Sequence, residues 1–353
     1  MTDTADTREL SVSTQARPKK ITPGLFEPGR VALRDTWIPL AHLPQIRRRP
    51  RAHELHGKPV YIWGTSDRRI RATESHPQRL STGHAERTEA TGGRGEFTVV
   101  ERYGYVWVWY GDPDNLSEDL LPDCPYLPRN GGPRPRHMWG TLTFHSTYEL
   151  VCENLLDLTH VDFLHSKLIG DELCEQDRIT VESTSETVTM IREANGRRTP
   201  PAQRWFAKSD RQDMRAVTHV HLRSGVVVLH GNFSPGLSVR LFHPLIPAST
   251  DRTTLKFSFN PKGANALARN AFPLVSPIIA RQDDRMLRPQ NGRYLQPSSR
   301  PDVSSQFDAA GLQYRIRMQQ LVERQLAGDF SYQNDADPGR DITELLQVER
   351  MPG

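Results

Sequence analysis

The chain has 353 residues, 36% of them apolar and 25% charged, with 24 glycines and 27 prolines; this mix fits a globular protein of about two domains and excludes collagen and coiled coil. Its 46 basic and 42 acidic residues leave a net charge of +4; the basic residues are scattered with no nucleic-acid-reading module beside them, so no nucleic-acid partner is expected. The longest apolar runs, Gly225 to Leu229 and Ala271 to Ala280, fall far short of the roughly 20 residues of a membrane span, and the opening MTDTADTREL has no signal-peptide pattern, so a cytoplasmic protein without membrane association is expected.

Residues 1–30 are rich in Thr, Ser, Arg and Pro without hydrophobic periodicity and read as a disordered arm. From Val31 the segments ALRDTWIPL, KPVYIWG, RRIRATE, GEFTVVERYG and YVWVWYGD are short, β-branched or aromatic, and separated by turn residues. They predict a small antiparallel β domain over 31–130, with Arg47, Arg48, Arg49 and Arg51 in a solvated loop around Pro50. Alternation of Tyr105, Trp107 and Trp109 with Val106 and Val108 predicts buried aromatics rather than a stacking platform. A proline-rich connection, Pro122 to Pro135, leads to a second domain over 131–330.

That domain opens with the strand-like run TLTFHSTYELV and passes into ENLLDLTHVDFLHSKLIG, where apolar residues recur at helical spacing. Strands follow around Ile179–Ile191, Ala216–Leu229, Leu237–Phe242 and Thr253–Phe259, then helical regions from Leu274 through Asp283 and from Phe307 to Leu326, with a tail over 331–353. The class is α+β. Cys124, Cys152 and Cys174 are too few for a disulfide framework and too scattered for a four-cysteine zinc site, and read as reduced thiols. There is no phosphate-cradling glycine loop, G-x-S-x-G elbow or C-x-x-C.

The chemistry concentrates in ENLLDLTHVDFLH. Asn154, Asp157 and His160 lie three residues apart, on one face of a helix, with His165 five further on. Residues five apart on a straight helix point about 140° away from one another, so His160 and His165 share a metal only if the helix breaks, and a break near Phe163 is expected. Two neutral imidazoles and one carboxylate form the facial triad of non-haem Fe(II) oxygenases, which leaves positions open for dioxygen and substrate; the carboxylate must come from elsewhere in the chain. His219 and His221, on one strand face, lack the further ligand that a cupin-type site needs.

ENLLDLTHVDFLH resembles the N-x-x-D-x-x-H-x4-H iron motif of Rieske-type non-haem iron oxygenase catalytic (alpha) subunits, closest to their vanillate O-demethylase-like branch. LRDTWIPLAHL, GKPVYIW and VVERYGYVWVWYGDP resemble strands of that family's Rieske domain, RQDDRMLRPQ its third-ligand segment, and SSQFDAAGLQYRIRMQQLVERQLAG its closing helix, so the likeness spans about residues 31–330. It implies a Rieske-like β domain followed by a helix-grip (Bet v 1/START-like) catalytic domain. It also implies a mononuclear Fe(II) held by His160, His165 and Asp283, with Asp284 as the alternative carboxylate. Asp157 would be the carboxylate linking the iron to a neighbouring cluster, Asn154 would line the pocket, and His243 would face substrate, although Ile246 stands where the family has Thr.

The same resemblance implies C-x-H and C-x-x-H pairs for a [2Fe-2S] cluster, and neither is present. The first window reads TESHPQRLSTGH, with Ser75, His76 and His84 but no cysteine, and the second hairpin is missing, so this chain is expected to carry no cluster. Three functions follow: an oxygenase hydroxylating or demethylating a small aromatic or heterocyclic substrate with O2 and electrons from a separate Rieske, ferredoxin or reductase partner; a cluster-free iron enzyme in which substrate supplies the electrons or the metal acts as a Lewis acid; and a non-catalytic subunit. The family's head-to-tail trimers imply a homotrimer, although the usual reason for one, electron transfer from cluster to iron between neighbours, is absent.

Overall fold

The computed structural model describes residues 8–10, 19–20, 26–80, 91, 93–130, 138–170, 177–201, 203–260, 266–295, 303–330 and 339–351. Two very short strands, β1 (Arg8–Leu10) and β2 (Lys19–Lys20), precede the β domain. In that domain β3 (Thr36–His42), β9 (Tyr105–Tyr110) and β8 (Val99–Arg102) form one antiparallel sheet. A second sheet takes the order β4 (Arg51–Leu55), β5 (Lys58–Gly64), β6 (Ile70–Thr73), β7 (Glu96–Phe97), with the one-turn helix α1 (Pro77–Leu80) after β6.

The period-2 pattern of β9 sets the layering. Val106 and Val108 point into a core with Ile38, Leu40, Val60 and Ile62 of the two sheets. Tyr105, Trp107 and Trp109 point the other way, with Trp37, onto the second domain, where they meet Val217, Val226, Val228 and Phe242. Trp37 and Trp109 contact edge to face at 5.4 Å, and the Tyr105 hydroxyl reaches Ser258 Oγ at 2.8 Å. The aromatic stripe is therefore buried between the two layers, as its alternation predicts.

The second domain is built on an eight-stranded antiparallel sheet. Its strands are β10 (Met138–Phe144), β11 (Arg178–Ser183), β12 (Thr187–Arg198), β13 (Arg211–His221), β14 (Val226–Ser234), β15 (Ser238–Ser249) and β16 (Arg252–Phe259), with β1 as the eighth. The order is β1-β11-β12-β13-β14-β15-β16-β10. One face carries the β domain; the other is covered by α2 (Tyr148–Leu156), α5 (Ala266–Leu295) and α6 (Ala309–Leu326). Between this face and the helices lies a core that includes Val188, Met190, Val220 and Leu245 from the sheet, Leu150, Val151 and Leu156 from α2, Leu287 from α5, and Tyr314, Met318 and Leu321 from α6. Short helices α3 (His160–Leu164), α4 (Arg204–Ala207) and α7 (Ile342–Leu346) and a two-residue strand β17 (Val303–Ser304), paired with β2, complete the described elements. None of the described helices is long and apolar enough to cross a membrane.

The α+β class agrees with the sequence reading, and four local expectations are corrected. Within the expected loose arm, Arg8–Leu10 pairs with Val181, Thr180 and Ile179 as an edge strand, an interaction that needs only main-chain groups and leaves no hydrophobic period to read. Phe26 and Leu33 are already in the core, so structure begins before Val31. Of the four arginines expected in a solvated loop, Arg47, Arg48 and Arg49 are exposed outside any strand, whereas Arg51 opens β4, which runs to the buried Leu55. In the tail, Ile342, Leu345 and Leu346 of α7 are buried against the aromatic layer at helical spacing.

Candidate metal centre

The run TLTFHSTYELV divides into strand and helix: β10 stops at Phe144 and α2 begins at Tyr148. The expected single helix through His165 divides at Asp157–Thr159, and its second piece ends at Leu164, beside the break expected near Phe163. Asp157 takes an extended conformation, φ −74° and ψ 100°, and its Oδ1 accepts hydrogen bonds from Thr159 N at 2.7 Å and Thr159 Oγ1 at 2.6 Å. A short carboxylate side chain thereby captures donors two residues on, in competition with the helix. The leucine spacing hid this break, because Leu158 in the turn is still buried.

The end of α3 brings the histidines together. His160 opens α3, and His165 follows its last residue with φ −111° and ψ 19°, off the helical path, so the 140° divergence of a straight helix does not apply. The two rings lie 5.3 Å apart, edge to face. Three consecutive amides, of Leu168, Ile169 and Gly170, donate to the His165 carbonyl. A Cβ on Gly170 would stand 2.1 Å from the Val161 carbonyl oxygen, so only glycine permits this close return of the chain.

The carboxylate comes from α5. Asp283 Oδ1 stands 3.0 Å from His165 Nε2 and 3.5 Å from His160 Nε2. Among the described residues, His160, His165 and Asp283 are the one His/Cys/Asp/Glu group whose ligand-type atoms all lie within 4.8 Å of one another. The alternative carboxylate, Asp284, is engaged elsewhere: it accepts from the His145 amide at 2.5 Å and lies 2.9 Å from His145 Nδ1. Adjacent residues on a helix point about 100° apart, so only one of the pair can face the histidines.

The donor set fits a divalent transition metal. Imidazole nitrogens and carboxylate oxygens bind such ions at about 2.0–2.2 Å, which puts two ligand atoms at a right angle about 3 Å apart. Both rings are held in the required tautomer. The Asp157 main-chain carbonyl accepts from His160 Nδ1, and Gln282 Oε1 accepts from His165 Nδ1 at 2.7 Å. A carbonyl oxygen only accepts, so each Nδ1 carries a proton, and Nε2, the atom turned toward Asp283, is the one that gives up its proton when a metal binds. Burial alone would raise the Asp283 pKa, but hydrogen bonds and positive charge from both histidines outweigh it and hold the carboxyl down at about 2. For His160, burial works against the charged form, and Asp283 and Asp157 together still raise it.

The other predicted site residues stand outside this group. Asn154 is in α2, half-buried, with a buried Nδ2 that has no hydrogen-bond partner. His243 is in β15 on the helix-covered face, since its neighbours Leu241 and Leu245 belong to that core while Phe242 belongs to the opposite one. Burial lowers its pKa to about 4, so the ring is neutral, and its Nδ1 also has no partner. His219 and His221 face the β domain, neutral through burial at about 3 and 4, and the Thr189 hydroxyl lies 2.7 Å from His219 Nδ1. Cys124 and Cys152 are buried free thiols in separate cores. Ser75 and His76 lie just after β6; His84 and Cys174 fall outside the described residues. The sequence reading gave no role to Thr159, Asp162 or Gln282, although each sits inside or beside a quoted motif.

Comparison with known proteins follows the same division. The vanillate O-demethylase oxygenase C-terminal domain profile matches residues 144–324, just over half of the chain. The iron-sulfur subunit TsaM2 of a toluene-4-sulfonate monooxygenase system from Comamonas testosteroni, a protein of putative assignment, is 28% identical over 118 residues, 33% of this chain and 31% of that protein. A vanillate O-demethylase oxygenase subunit from Pseudomonas sp. is 25% identical over 274 residues, 71% of this chain and 81% of that protein. The chain thus spans under a third of the first relative and four-fifths of the second. Dicamba monooxygenase in a crystal structure with 3,6-dichlorosalicylic acid shares the fold with a TM-score of 0.67 at 14% identity, over 83% of this chain and 98% of that one.

Proposed function

The chain belongs to the vanillate O-demethylase oxygenase C-terminal domain family, and from that premise we propose that it is a non-haem iron oxygenase that hydroxylates or demethylates a small aromatic or heterocyclic substrate. The observation that carries the proposal is the convergence of His160 Nε2, His165 Nε2 and Asp283 Oδ1 from α3 and α5, with both imidazole tautomers set by carbonyl acceptors. Ferrous iron, when held by these three residues, would supply dioxygen activation. Asp157 and Gln282 orient the ligand rings through their carbonyl oxygens. Asn154 Nδ2 and His243 Nδ1, buried and unpartnered, offer substrate a hydrogen bond each, and the apolar core face keeps water away. The substrate class is supported by the relatives' names, which refer to vanillate and toluene-4-sulfonate.

Electrons are supplied in trans in this proposal, by a separate Rieske protein, ferredoxin or reductase. Three cysteines in the whole chain, with no C-x-H or C-x-x-H pair, support it, because a Rieske cluster needs two cysteines and two histidines. The relatives' descriptions as subunits of systems agree with a multi-component enzyme. A cytoplasmic location and a homotrimer are part of the same proposal. The test is oxygen consumption by the Fe(II)-loaded protein with aromatic methyl ethers, with and without a reductase and ferredoxin pair. Turnover only with the donor pair is the expected result; equal turnover without it would transfer the assignment to an enzyme whose substrate supplies the electrons.

A further inference from the structure

Two of the three ligand-type residues sit at the ends of α3, a helix of five residues. A helix this short has no stability of its own, so tertiary anchors must set where the imidazoles point. We propose that Arg192 of β12 is a positioning residue for the metal centre, gripping the chain on both sides of His160; the inference rests on the metal reading above.

Arg192 is 1% exposed and sits two residues from Met190 on β12, hence on the same, helix-covered face. Its guanidinium contacts three separate places. Nη1 donates to the Leu158 carbonyl at 2.9 Å, two residues before His160. Nη2 donates to Asp162 Oδ2, two residues after it. Nε donates to Asp177 Oδ2 at 2.9 Å, just before β11, and Nη2 also contacts that oxygen. Asp162 Oδ1 takes a further bond of 2.8 Å from Arg197 Nη2, also on β12. The Leu158 amide donates to Met190 Sδ at 3.4 Å, so β12 holds both main-chain groups of the residue in the helix break.

The directions are those of a tether. Residues 160 and 162 point about 200° apart on a helix, so the side that Arg192 pulls on lies opposite the side that offers His160 to the metal. The Leu158 carbonyl has lost its helical partner at the break, and Arg192 supplies the replacement. Two arginines and two aspartates balance in charge, which lets the cluster be buried. A lysine could not span three acceptors at once, because the planar fork is what reaches them.

The test compares Co(II) binding by wild type, the charge-balanced double variant R192M/D177N, which leaves Asp162 paired with Arg197, and R192K. A control, R223M/E186Q, removes another partly buried pair, linked at 2.7 Å, that touches none of the ligand-bearing segment. We expect R192M/D177N to bind Co(II) roughly 10–100-fold more weakly and with an altered ligand-field spectrum, and R192K to show a loss of about tenfold while folded. The control should melt earlier and bind as wild type does. Wild-type affinity and spectrum in folded R192K would overturn the inference, whatever the double variant does. Equal weakening in the control would also overturn it, by reducing the effect to general stability. If wild type itself binds no Co(II), the metal reading fails and this inference with it.

Discussion

The two halves of this protein keep different things. In the β domain the packing survives: Trp37, Tyr105, Trp107 and Trp109 are buried at 1% exposure or less and fasten the domain to the second sheet. What the sequence does not offer there is a thiolate ligand, since no cysteine stands in the window between β6 and β9. The catalytic domain keeps both, a core under three helices and three ligand-type side chains meeting at the end of α3. A fold and a site are thus separable: a few hydrophobic stripes specify the layer, while the site depends on individual side chains whose replacement leaves those stripes intact.

The sharpest way to break this comparison is in the triad. His160→Ala and Asp283→Ala should each abolish stoichiometric iron binding and turnover while the far-UV circular dichroism stays that of wild type; full iron occupancy in both would remove the site. Next in size is the β domain's own contribution. Trp107→Ala should cost about 3–5 kcal/mol in urea unfolding through a large core cavity, yet the protein that remains folded should hold iron as wild type does. Loss of iron without loss of stability would make the β domain part of the site after all.

A third effect concerns pH. Burial pushes the Glu149 carboxyl in α2 up to about 7, above its ordinary 4.5. Below about pH 4.5 the acid is protonated folded and unfolded alike and has no influence; as pH rises toward 7 the unfolded chain releases the proton first, so folding stability falls. Glu149→Gln should remove that decline and stabilise the protein by about 3 kcal/mol at pH 8, measured by chemical denaturation at several pH values. An unchanged pH profile would show that Glu149 ionises normally. Smaller again, Asp157→Asn keeps the oxygen that accepts from Thr159 and should leave iron in place while donor-dependent turnover falls about 10–100-fold; undiminished turnover would count against the donor route. The smallest effect belongs to the exposed Arg71–Glu96 pair of the β domain, linked at 2.7 Å, where Arg71→Ala should change stability by under about 1 kcal/mol and metal binding not at all.

What could be read from the sequence follows the same line. Local periodicity showed β9 and the closing helix, because burial repeats along each of them; it ran β13 and β14 together as one stretch, Ala216–Leu229, across the turn at 222–225. The H-x4-H spacing marked two of the triad, and the RQDD segment was placed by resemblance, leaving open which aspartate turned inward until His145 was seen to hold Asp284. Periodicity misled at the helix break, where Leu158 preserves the leucine rhythm through a turn made by Asp157 and Thr159. It was silent on the edge strand Arg8–Leu10, and on Arg192 with Asp162, which are 30 positions apart and meet only through the fold.

The central claim, a mononuclear iron centre in a chain without a cluster of its own, is tested most directly by the iron and acid-labile sulfide content of anaerobically purified protein, read with its visible spectrum. The account predicts about one iron per chain, no sulfide and no thiolate-to-iron absorption. About three irons per chain with sulfide would contradict it and require a cluster site that the cysteine positions do not provide.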